Sequence, residues 1–257
     1  MGLDPHSVYH VRDASIARPN LRLDLDDGTL AFTEDICGRI TGAFFEGEGE
    51  ILLRPPNRAE RGSLALFTGM AILEEQITSG YLRFNDDTAA VLRPYLRPAP
   101  EGADFVKQWN DASRGLAEFD ALRLLLDFSH FLPLANSAPQ GRNEPDRKFP
   151  PLLHAHLLGK KLGSFEVFWD AANAEPLWAG QPRMKDDTLF FDIWTSFAPG
   201  GGAGATPRSV GDASITSFRI WASVQPPTML RASTDVNIRI RSGGERTLLF
   251  ELSRYLK

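Results

Sequence analysis

Apolar residues recurring at every second position mark both ends of this chain, and that period restricts it to a fold built mainly of β-strands. Leu21, Leu23 and Leu25 alternate with Arg22 and Asp24, and Leu30 and Phe32 resume the pattern. Ile215 to Val224 and Thr234 to Ile240 alternate in the same way. Side chains at i and i+2 of an extended chain share a face, so each segment offers one apolar face to a core. Asp26-Asp27-Gly28 and Gly47-Glu48-Gly49 read as tight hairpin turns between strands. The spacing predicts further strands from Gly38 to Glu46, Glu50 to Arg54, Ser63 to Thr68 and Tyr81 to Phe84. Pro55-Pro56 is a stop, because proline cannot donate to a ladder.

The period changes in the middle of the chain. Phe119, Leu122, Leu125, Leu126 and Phe128 recur at three- and four-residue steps, which predicts one long helix over 117–131 ending at Pro133. A short helix is predicted from Asp87 to Leu92, and the Asn-, Pro- and Gln-rich stretch from Pro133 to Pro151 reads as a loop. Strands return at Leu152–Leu158, Ser164–Trp169, Leu177–Ala179 and Leu189–Phe197. Pro199 to Ala205 is almost free of side chains and reads as a flexible linker or loop. Ser242-Gly243-Gly244-Glu245 is then a turn, and Thr247 to Leu252 closes a second hairpin. The expected fold is mainly β (α+β): antiparallel sheets or a β-sandwich with the long helix packed on it, then the start of a second sandwich. The expected division is a first domain over 1–198, a Gly-rich linker or loop over 199–213 and a two-hairpin segment over 214–257. Such a segment is marginal by itself, so it must pack on the first domain or continue as a sandwich.

Composition excludes several roles. A net charge of -5, with no basic stripe, argues against nucleic acid, whose phosphates are bound by displacing counterions with Lys and Arg. No apolar run approaches the roughly 20 residues of a membrane-spanning helix. Cys37 is the only cysteine, so an internal disulfide is impossible and a cysteine-built zinc site is not expected. The start has neither the basic nor the apolar stretch of a signal peptide; the chain reads as cytoplasmic as given, or as exported with its signal removed.

Few residue groups point to chemistry. His154-Ala155-His156 is the best metal candidate, since both imidazoles fall on one face of a strand, but the spacing offers no third ligand and the leucines around them suggest a packed pair. Asp24, Asp26 and Asp27 fail the calcium-loop pattern, with Gly28 where a ligand belongs. The glycines at 200–204 lack the Lys-Ser or Lys-Thr pair of a phosphate cradle. There is no Gly-x-Ser-x-Gly elbow; Cys37 has no predictable histidine partner, and His130 falls at the end of the long helix. Glu74-Glu75, Asp86-Asp87 and Asp186-Asp187 read as solvated pairs. Eight aromatic residues crowd the stretch from Phe165 to Phe197 and read as sheet core. The other reading is a glycan or peptide groove drawn from Trp169, Trp178, Trp194 and Trp221. No catalytic motif can be assembled, so whether the protein acts as an enzyme stays open. A hydrolase site around His154 and His156 is the weaker alternative.

Two passages carry a family resemblance. Asp120-Ala121-Leu122-Arg123-Leu124-Leu125-Leu126-Asp127, followed by Leu157-Leu158-Gly159-Lys160-Lys161-Leu162 and Trp194, resembles the region ahead of the catalytic unit in a bacterial branch of the aminopeptidase N-type zinc metallopeptidases. Gly42 to Pro55 and Ser63 to Phe84, with Tyr81-Leu82-Arg83-Phe84-Asn85-Asp86, fit the same region. Phe218-Arg219-Ile220-Trp221-Ala222-Ser223-Val224 and Arg246 to Leu252 look like the opening strands of the β-sandwich of those peptidases. The His-Glu-x-x-His zinc helix, the distal glutamate and the Gly-x-Met-Glu-Asn loop are missing from this sequence, so no functional residue carries over. The resemblance implies a non-catalytic accessory or scaffold region that shields or positions a catalytic unit, or docks a partner. That partner would be a C-terminal catalytic domain or another chain, and any zinc would belong to that catalytic domain.

Overall fold

The computed structural model describes residues 2–36, 38–99, 105, 151–171, 175–185, 188–199, 213–226 and 229–240. They fall into two compact units, divided between residues 206 and 207. In the first, β1 (Leu3–Arg18), β2 (Leu21–Thr33), β3 (Gly42–Leu53) and β4 (Leu73–Phe84) form an antiparallel meander. A second meander, β6 (Leu152–Gly159), β7 (Gly163–Asp170), β8 (Leu177–Lys185) and β9 (Thr188–Phe197), joins it through β4–β6 pairing. With the short β5 (Leu96–Pro98) on β1, the order is β5-β1-β2-β3-β4-β6-β7-β8-β9. The chain is thus mainly β, with one large antiparallel sheet and a small second one.

One face of the large sheet builds the main core. Val11, Leu23, Phe45, Phe84, Leu157, Phe165 and Phe197, drawn from strands across the sheet, belong to one buried cluster. A flat sheet could not bring them together. β1 and β7 are five places apart in the order, about 24 Å at normal strand spacing. Yet the Arg18 guanidinium at the end of β1 lies 5.8 Å from the centre of the Trp169 ring on β7. The sheet therefore curls round its apolar face. Bulges on adjacent strands accompany the curl: at Asp26 in β2, between Glu46 and Gly49 in β3, and between Ile77 and Ser79 in β4. A bulge adds one residue to one strand and increases its bend. It also explains the sequence pattern, because Leu25 and Leu30 are an odd number apart and both are buried; the extra residue returns the second half of the strand to the same face.

These bulges correct two predicted turns. Asp26-Asp27-Gly28 and Gly47-Glu48-Gly49 lie inside β2 and β3, where Gly28 pairs with Gly47. A Cβ on Gly47, whose φ is +156°, would stand 2.3 Å from the Asp27 carbonyl oxygen; the glycines permit close backbone approach, not chain reversal. The strand predicted over Ser63–Thr68 is also corrected, since those residues end the helix α1 (Arg58–Thr68). Its determinants are at its ends: the Asn57 side chain accepts a hydrogen bond from the Glu60 backbone N–H, and Gly69 closes the helix at φ +76°. α2 (Thr88–Leu92) matches the predicted short helix, and a 3₁₀ turn, Arg93–Tyr95, follows it. The helix read over 117–131, the linker residues 200–205 and the second hairpin at 242–252 lie outside the described residues. No described helix is long and apolar enough to cross a membrane.

Three polar contacts hold the curl. Arg18, nearly buried, donates to Asp86 Oδ2 at 2.5 Å and to Thr88 Oγ1 at 2.7 Å, tying the end of β1 to the start of α2. Glu60 of α1 accepts from Thr195 Oγ1 and the Ser196 N–H on β9, while Leu64 of the same helix enters the core. Glu75 faces inward on β4 with 1% exposure, and its Oε1 accepts from the N–H groups of Lys161 and Leu162 in the β6–β7 turn.

The second unit contains β10 (Ala213–Gln225) and β11 (Met229–Ile240), paired in one antiparallel ribbon. Register places Phe218 beside Val236, Ile220 beside Thr234, Ala222 beside Ala232 and Val224 beside Leu230 on one face. The opposite face pairs Ser217 with Asn237, Arg219 with Asp235, Trp221 with Ser233 and Ser223 with Arg231. The ribbon is amphipathic, and its apolar face is open: Phe218, Ile220 and Val224 are 62, 63 and 72% exposed.

Two substitutions test the contacts that hold the curl. Glu75→Ala strips two turn N–H groups of their acceptor and is expected to cost about 1–3 kcal/mol for each that stays buried. Glu75→Gln, which keeps a carbonyl oxygen there, should cost less in the same urea titration. Arg18→Met leaves Asp86 without its cation and should lower stability by about 2–4 kcal/mol; Arg18→Met with Asp86→Asn should lose less than the sum of the two single changes.

Candidate functional site

The side chains with most chemical capacity gather on the other face of the large sheet, where β4, β6 and β7 run side by side. Register sets two rows there. Phe44, Tyr81, His156 and Glu166 are successive cross-strand neighbours, and so are Arg83, His154, Phe168 and Trp178. Alternation places them, since the residues between (Leu82, Ala155 and Val167) point into the core. The cluster is not solvated: His154, Glu166 and Arg83 are 2, 4 and 6% exposed.

Glu166 stands between the two histidines. Its Oε2 is 3.8 Å from His154 Nε2 and its Oε1 is 3.7 Å from His156 Nδ1. Both separations are within ion-pair range but too long for hydrogen bonds, so the carboxylate complements either imidazole when that ring is protonated. Arg83 Nε donates to the Tyr81 hydroxyl at 2.8 Å, and its guanidinium lies 5.1 Å from the centre of that ring. Tyr81 also belongs to a small apolar cluster with Leu3, Val8, Phe44 and Phe105.

An aromatic row continues from His154. Its imidazole stacks on Phe168 at 3.7 Å, Phe168 stacks on Trp178 at 4.0 Å, and Phe191 meets Trp178 edge-on at 5.2 Å. Such contacts contribute about 0.5–1.5 kcal/mol each beyond area burial and fix the orientation of the His154 ring. Among the described residues no group of three or more His, Cys, Asp or Glu could hold a metal ion.

The structure brings His154 and His156 together on one face of β6. Within the first unit, Trp194 is buried in the core, Trp169 packs against that core and Trp178 lies on the opposite face of the sheet; Trp221 belongs to the ribbon of the second unit. Of the acidic pairs, Glu75 and Asp86 serve the contacts described above. Asp24 and Asp27 lie on a strand and face Arg22 and His10. Cys37, His130, Asp186, Asp187 and the 200–204 glycines lie outside the described residues. Two open clefts lie elsewhere, one of about 410 Å³ lined by Arg18, Arg22 and Arg54, the other of about 230 Å³ lined by Arg39, Asp86, Asp87 and Arg93.

Tyr81, Arg83 and Glu166 escaped the reading of the sequence as site residues. The signal was present for Glu166: an acidic residue between Phe165 and Val167, on the face its run does not bury in the core. No family model, curated protein or solved structure matches this chain.

The two histidines should differ in weight. His154→Ala removes a stacked and buried ring and is expected to cost about 2–4 kcal/mol, whereas His156→Ala, at the more exposed edge, should cost about 1 kcal/mol or less. Equilibrium unfolding in guanidinium chloride reads both.

Proposed function

We propose that this chain is a non-catalytic accessory or scaffold region of a zinc metallopeptidase-like protein, which docks a catalytic unit or another chain through the β10–β11 ribbon. The open apolar face of the ribbon carries this reading. Single-layer ribbons of two strands are marginal in water, and an apolar patch this long is rare on a protein that works alone. Both faces of the large sheet support the scaffold role, since its reactive side chains are packed rather than lining an open pocket.

Two measurements test the proposal. The purified chain, supplied with zinc, should release no 4-nitroaniline from leucine 4-nitroanilide above the blank; zinc-dependent release would contradict the reading. The chain should also enhance the fluorescence of an apolar dye such as ANS, and Phe218→Asp with Ile220→Asp should remove most of that enhancement. Unchanged dye binding in this variant would locate the apolar surface elsewhere and defeat the docking role assigned to the ribbon.

A further inference from the structure

We draw no further inference here: the strongest candidate, the open cleft at the β1–β2 turn lined by Arg18, Arg22 and Arg54, carries none, because Arg18 is held by Asp86 and Thr88 and Arg22 by Asp24, and nothing in the structure shows what the exposed Arg54 would bind.

Discussion

The burial of one continuous apolar face inside a curled sheet is the constraint on which the first unit depends. A sheet of nine strands has far more apolar surface on one side than the two short helices among the described residues can cover. Of the described helices, α1 and α2 contribute Leu64 and Leu92 to the main cluster, and nearly all of its other described residues come from the sheet itself. Each fully buried Leu or Phe contributes about 1.5–3 kcal/mol, and the cluster from Val11 to Phe197 exists only if the sheet bends. The polar contacts are consistent with that hierarchy. Arg18, Glu60 and Glu75 each join segments far apart in sequence; they secure a bend that apolar burial drives, and none could produce it alone.

The same bend gives the opposite face its character. A strand that buries every second residue in the core commits the alternate residues to the other side, whatever their polarity. On β6 and β7 those residues are His154, His156, Glu166 and Phe168. Buried ionisable groups are tolerated when opposite charges or aromatic rings complement them, and here both are present. Grouping them answers the physical problem of placing polar residues on a covered sheet face. Their proximity alone is therefore weak grounds for assigning a reaction.

Much of the strand content was legible in the sequence, because period-2 alternation is a direct record of burial. β6, β7, β9 and β10 fall close to the positions predicted from apolar runs and alternation, while β11 begins at Met229, five residues ahead of the predicted Thr234. The errors arose where glycine and short apolar runs have two physical meanings. Gly28 and Gly47 were read as turn residues, yet they sit in strands whose backbones approach too closely for a Cβ. Leu64, Leu66 and Phe67 suit a strand by polarity, and only the cap at Asn57 and the stop at Gly69 reveal the helix. For the candidate site, the shared face of His154 and His156 followed from their spacing. Glu166 could not be placed beside them without the β6–β7 register, which depends on a turn capped by a residue on another strand, Glu75.

The ribbon obeys the same rule with an opposite outcome. Its alternation sorts apolar from polar residues as cleanly as in β2, but nothing within the described residues curls over it. An isolated antiparallel pair gains from cross-strand contacts only about 0.2–1 kcal/mol each, and its ordering opposes that with about 1–2 kcal/mol of backbone entropy per residue. Twelve paired positions thus cannot hold the ribbon flat and extended on their own account. The exposure of Phe218, Ile220, Val224 and Leu230 distinguishes this ribbon from the buried strands of the large sheet.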